Sequence, residues 1–329
     1  MAVQKKLSLC IIAKNEDLAV GDCLESMKGT VDEMIVADIG LNSGTPELNK
    51  CAGAKVYRLA FEDNFSKIKN FCMAHASGDW VLFLQANETI PREQHSELRK
   101  IMLNPAAEGY LMQMDDEQRG EACPAQSLRL LRNRIAYRFR YRSYAYIPDE
   151  DLYSILSSNV NIVGSKEKTS GWQADERIRL LQMDLKEHPH DGYVRYLQGV
   201  KLFNQGKFKE SAASLELARH ALCGGSLYAP HLYQCLGTCL LMLARYNAAE
   251  ELLREGIWLF PFYTDIKILR AALYHQLGRD TDALKDLDDC LILRKALNAC
   301  VPVPKTDVPE IIKMREEIRA ACEGMPVKV

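Results

Sequence analysis

What this chain has little of narrows it first. It carries no surplus of one charge: 42 Lys and Arg face 44 Asp and Glu, a formal net charge of -2. Nothing sequence-wide therefore pulls it toward nucleic acid or an anionic membrane surface. Long apolar runs are missing as well. In the opening MAVQKKLSLCIIAKNE the apolar run is only Leu9 to Ala13, too short for the core of a secretion signal and far too short to span a bilayer. The expectation is a cytoplasmic protein without a membrane span. The eleven cysteines form no CxxC pair. Odd in number and scattered through apolar patterns, they suit neither structural zinc nor a disulfide framework, and reduced buried thiols are expected. Cys235 and Cys239, spaced i to i+4, fit one helix face and core packing.

What is present is ordinary in bulk. The 329 residues are 47% hydrophobic and 26% charged, a globular chain comfortable for two domains. The stretch Gly78 to Glu88, GDWVLFLQANE, organises the first of them. Val81 to Leu84 is an unbroken apolar run bounded by Gly78 and Asp79, which reads as a fully buried strand. The run stops at Gln85, Ala86, Asn87 and Glu88, polar side chains at the carboxyl end of a strand, where α/β sheets place their ligands.

Around this stretch strand and helix alternate. Strands are expected at Leu7 to Ala13, Glu33 to Ala37 and Lys55 to Leu59, and helices at Asp17 to Lys28, Pro46 to Ala52 and Ser66 to Ala76. That rhythm implies a parallel sheet with covered faces. Beyond the central strand come a helix over Pro91 to Met102, a strand over Gly109 to Met114, an acidic loop over Asp115 to Glu121 and a strand over Ser127 to Asn133. In RFRYRSYAYI, Arg138, Arg140 and Arg142 recur at i, i+2 and i+4, so one strand face would carry all three. They fit either a solvated face or direct binding of a diphosphate.

The pattern changes near Gly171 and Trp172. From Asp175 onward it is helical, with a repeat of about 34 residues. Gly199, Gly206, Phe208 and Ala218 correspond to Gly237, Ala244, Tyr246, Ala249 and Gly256, and then to Ala271, Tyr274, Gly278 and Ala283. Small residues at these offsets let paired helices approach and stack into one continuous core. Flanking helices are expected at Asp175 to Glu187 and Pro309 to Cys322, with Val301 to Pro309 as a rigid linker. Tyr193, Tyr196, Tyr228 and Tyr233 fit either the core or the wall of a concave groove.

Taken together, these motifs resemble the family 2 glycosyltransferases of the GT-A fold, in the group fused to tetratricopeptide repeats. Lys14-Asn15-Glu16 matches the motif after the first strand. Asp38-Ile39-Gly40 matches Asp-x-Gly-Ser in part, with Leu41 for Ser. Asn64 to Asn70 matches Asp-Phe-Ser-Lys-x-Arg-Asn, with Lys69 for Arg, and Ser127 to Asn133 resembles the Arg-Leu-Phe-Arg-Asn strand. The resemblance implies an α/β GT-A domain with a Rossmann-like, mostly parallel sheet over 1–170 and an all-α tetratricopeptide-like repeat domain over 171–329.

For the site it implies a nucleotide-sugar donor, a UDP-sugar in first place. Lys14, Glu16, Asp38, Lys69, Gln85 and Asn87 would line its pocket, with Asp38 on a pyrimidine edge and Lys69 facing phosphates. Asp115 and Asp116, with Glu117 beside them, would lie near the general base that deprotonates an acceptor hydroxyl. The family's Asp-x-Asp, which bridges a divalent cation to the diphosphate, is here Gln85 and Asn87, and its His position falls on Tyr144. A carboxylate about 4 Å from a unit positive charge is worth roughly 4 kcal/mol at an effective dielectric near 20, so a Mn or Mg site built on these residues should be weak or lost. The implied partners are a nucleotide-sugar, a protein or peptide acceptor in the repeat groove, and a second copy or an active paralogue. Two functions follow: a transferase working with little or no metal, or a catalytically inactive scaffold.

Overall fold

The computed structural model describes residues 5–15, 17–40, 53–114, 126–148, 151–164, 174–222, 226–296 and 308–322. The expected helix over 46–52, Glu16, and the acidic loop with Asp115, Asp116 and Glu117 lie outside these residues. Contacts divide the described residues into two compact units between His188 and Pro189.

The first unit is built on strands β1 (Leu7–Ala13), β2 (Glu33–Asp38), β3 (Lys55–Arg58), β4 (Trp80–Gln85), β5 (Glu88–Thr89), β6 (Gly109–Met114), β7 (Gln126–Arg132) and β8 (Ile155–Gly164). Their order is β3-β2-β1-β4-β7-β6-β8-β5. The first four run parallel, as the alternating pattern requires. β7 then pairs antiparallel with β4, and β6 antiparallel with β7. β8 was not among the expected strands. Its mixed sequence, ILSSNVNIVG, buries only alternate positions in its second half, and it pairs parallel with β6.

Helices α1 (Asp17–Met27), α2 (Phe65–His75) and α3 (His95–Ile101) belong to this unit. The helix expected from Pro91 is split: Arg92–Gln94 is a 3₁₀ turn before α3. Apolar clusters pack on both faces of the sheet. One joins Leu7, Leu9, Ile11, Leu82 and Leu84 with Leu24 and Met27, and the other joins Cys10, Ile35, Val81 and Phe83 with Ile68 and Cys72. Alternate residues of β1 and β4 thus face opposite sides, as the pleat demands.

A further helix, α4 (Ala174–Glu187), was expected to open the repeats. By contact it is the last element of the first unit. Its Asp184 carboxylate, buried, accepts hydrogen bonds from the backbone N–H groups of Arg142 (2.9 Å) and Ser143 (3.0 Å) and from Ser143 Oγ (2.8 Å).

The second unit is helical in every described element: α5 (Gly192–Asn204), α6 (Phe208–His220), α7 (Ala229–Met242), α8 (Tyr246–Leu259), α9 (Thr264–Gln276), α10 (Asp280–Ala296) and α11 (Val308–Cys322). It is a tetratricopeptide-like repeat. The periodic small residues do the work expected of them. A Cβ on Gly199 would lie 2.5 Å from Leu215 Cγ, and one on Gly237 would lie 2.8 Å from Leu253 Cδ2. Between helices, Gly206 (φ +70), Ala244 (φ 54) and Gly278 (φ +71) take the same left-handed turn. Tyr196, Tyr228 and Tyr233 are buried, so these three belong to the core rather than to a groove wall. Cys235, Cys239 and Cys290 are buried. No helix among the described residues is long and apolar enough to cross a membrane.

Candidate functional site

The carboxyl ends of β1, β2 and β4 form one edge, because the register pairs Ala13 with Asp38 and Ile12 with Gln85. Lys14, Asp38 and Gln85 therefore emerge side by side where parallel sheets hold ligands. The loops there are close: Asn15 has φ 59, and a Cβ on Gly40 would lie 2.4 Å from Asn15 Oδ1. Only glycine fits at position 40. Asp38 is buried. Its carboxylate accepts the Gly40 N–H at 3.0 Å and lies 4.0 Å from Arg58 Nε. Lys14 donates to Glu176 of α4 at 2.9 Å.

The turn after β4 is held from below. Glu88 is buried, and its carboxylate accepts the Gln85 N–H at 2.7 Å and both guanidinium arms of buried Arg129 at 2.9 Å each. This bidentate pair fixes the backbone of residues 85–88 against β7. It leaves the Gln85 side chain exposed and Asn87 half-buried. The pair was missed in the sequence, although Glu88 directly follows Asn87 and Arg129 opens the Arg-Leu-Leu-Arg-Asn match.

The Asn64 to Asn70 motif is largely structural. Asn64 caps α2 by accepting the Lys67 N–H at 3.1 Å. Asn70 exchanges hydrogen bonds with the backbone of Phe139, at 2.9 and 2.8 Å. Ser66 donates to the carbonyl of Arg140 at 2.6 Å. Lys69 is the exception. Its ammonium lies 5.2 Å from the Phe83 ring centroid and 4.6 Å from that of Phe139. Burial pushes its pKa down to about 7, and the positive charges of Arg129 and Arg177 add to the effect against Glu88 and Cys72.

The three arginines do not share a strand face. Residues 138–147 form no strand; the stretch has only a bridge between Arg140 and Tyr146, because α2 clamps its backbone through Ser66 and Asn70. Each guanidinium is turned elsewhere. Arg138 donates to the Tyr137 carbonyl, Arg140 to Asp151 at 3.2 Å and Arg142 to Glu187 at 2.6 Å. Tyr144, at the family's His position, is exposed and carries the Arg177 guanidinium 5.2 Å from its ring centroid.

The donor set does not fit a divalent ion. Gln85 and Asn87 offer neutral amides and Tyr144 a phenol. Among the described residues no group of three His, Cys, Asp or Glu side chains could hold a metal, and Glu88, the carboxylate in this turn, is already committed to Arg129.

Comparison with known proteins agrees with this architecture. Residues 8–151 match the model of glycosyl transferase family 2. A TPR repeat-containing protein of Synechococcus elongatus is 32% identical over 222 residues, which cover 63% of this chain and 55% of that protein. An uncharacterized glycosyltransferase of Rickettsia typhi is 32% identical over 107 residues, 32% of this chain and 36% of that one. The chain thus spans about half or less of these relatives. Among solved structures, the first TPR of Spaghetti bound to an HSP90 peptide aligns over 40% of this chain and 94% of that one, with 22% identity and a TM-score of 0.34. Residues 8–151 thus match glycosyl transferase family 2, and a tetratricopeptide-like helical repeat follows the sheet-bearing part.

Proposed function

We propose that the first unit binds a nucleotide-sugar at the edge formed by Lys14, Asp38, Lys69, Gln85 and Asn87, and that metal-dependent sugar transfer is weak or lost. The observation that carries this is the turn after β4. The Glu88–Arg129 pair holds it in shape, while the two positions that would grip a cation are amides. In this reading Asp38 meets the base, Lys69 faces the phosphates, and Asp115 or Asp116 is the candidate acceptor base. The acceptor is a protein or peptide laid along the helical repeat.

A second reading is favoured by the same two amides: an inactive member of the family that acts as a partner or scaffold through its repeats. A screen of nucleotide-sugars with and without manganese separates them, reading thermal shift and hydrolysis together. The first reading expects a donor-induced shift with little manganese-stimulated hydrolysis. A shift with no nucleotide leaves the scaffold reading, and robust manganese-dependent turnover overturns the claim of impaired transfer.

A further inference from the structure

The arginines expected to replace the cation are spent on Asp151, Glu187 and a backbone carbonyl. Arg177, on α4, is not. Among the described residues no carboxylate pairs with it. Its guanidinium lies instead over two rings, 5.8 Å from the Phe65 centroid and 5.2 Å from that of Tyr144. Phe65 and Lys69 are i and i+4 on α2 and so share one helix face. Arg177 rests on Phe65, one helical turn along α2 from Lys69, and its charge acts on the Lys69 ammonium, which among the described residues also has no hydrogen-bond acceptor. Lys69 in turn sits on Phe83, two residues before Gln85.

Two half-buried cations thus lie on this side of α2, with Lys69 resting on a ring of β4. Both lie on aromatic faces, which hold a cation without neutralising it. Holding two like charges this close is costly, and an anion between them would relieve the cost. α4 is anchored there by Asp184 on residues 142–143, by Glu176 on Lys14 and by Arg179 on Asp63 at 2.6 Å.

Resting on the nucleotide-sugar reading above, we propose that Arg177 and Lys69 together form a metal-independent diphosphate site, taking the place of the divalent cation at Gln85, Asn87 and Tyr144. Arginine suits this role because its planar fork binds two phosphate oxygens at once and never loses its charge.

The test uses the full chain and titration calorimetry with UDP, UMP and inorganic pyrophosphate in EDTA. UDP affinity should change less than twofold between EDTA and manganese. Arg177→Gln and Lys69→Gln should each weaken UDP at least tenfold and weaken UMP much less, a difference that a general loss of structure would not produce. Arg177→Met, which keeps an apolar stem on Tyr144 and Phe65, should behave like Arg177→Gln, and Arg177→Lys should recover part of the affinity. Converting Gln85 and Asn87 together to Asp should weaken UDP in EDTA and restore it with manganese. Unchanged UDP affinity in folded Arg177 and Lys69 variants overturns the assignment and leaves the nucleotide reading standing, as does UDP binding that needs manganese in the natural protein. Pyrophosphate binding that depends on Arg177, without UDP binding, keeps the diphosphate site and ends the nucleotide reading. Binding of neither ends both.

Discussion

At Lys69 a lysine has been placed against Phe83 and Phe139, where water reaches it poorly. With its pKa pushed down to about 7, a large share of its amine is neutral and nucleophilic near neutral pH. Exposed lysines, near 10.4, are almost wholly protonated there. Acylation at a series of pH values followed by mass spectrometry should place the midpoint of Lys69 reactivity well below that of exposed lysines. Bound pyrophosphate should protect it, since a facing anion raises its pKa. The groups that set its charge are Arg129, Arg177, Glu88 and Cys72, so Arg177→Gln should slow its acylation. Ala244 is a second telling residue. It takes φ 54 where the equivalent turns use Gly206 and Gly278. A left-handed alanine costs about 1 kcal/mol, and Ala244→Gly should stabilise the protein by roughly 0.5–1 kcal/mol in urea unfolding.

Among the elements, β2 depends on Glu33. Its carboxylate accepts from Ser8 Oγ at 2.6 Å, Ser77 N at 2.7 Å and Lys55 Nζ at 2.7 Å, linking β1, β3 and the approach to β4. Burial alone would raise its pKa, but the bonds from Lys55, Ser8 and Ser77 outweigh that and lower it to about 2. A carboxylate depressed in the fold stabilises above its unfolded pKa near 4.5 and loses that contribution as pH falls toward 2. Glu33→Gln should therefore cost on the order of 2 kcal/mol at pH 7, and the gap to the natural protein should narrow through pH 4.5 to 2 in denaturant titrations. The elements are also where the sequence spoke most clearly. β1, β2 and β4 are apolar runs with abrupt polar ends, and α1 and α2 have periodic faces. β8 and the 138–147 segment were misread for one reason: partners far away in sequence decide them. β8 forms against β6, and residues 138–147 are held out of a strand by Ser66 and Asn70.

For the whole molecule the division after His188 matters most. A helical pattern over 174–187 continues smoothly into more helices, so sequence places α4 with the repeats. A fragment ending at His188 should fold and keep any UDP binding. One ending at Ser170 strands the polar N–H groups that Asp184 satisfies, and should melt more than about 5 °C lower. Equal melting temperatures for the two fragments would show that α4 contributes little to the first unit.

Composition, apolar runs and the 34-residue period were enough to determine a sheet domain followed by helical repeats, because each rests on neighbours in sequence. The glycosyltransferase motifs likewise pointed to Asp38 and Gln85, which the strand register brings to one edge. Which cations remain available there was decided only by the tertiary structure. Ion pairs form across long separations: Arg142 finds Glu187, Arg140 finds Asp151, and Arg177 finds two aromatic faces and no carboxylate among the described residues. A side chain's charge is written in the sequence, but whether it is spent depends on what the fold sets beside it.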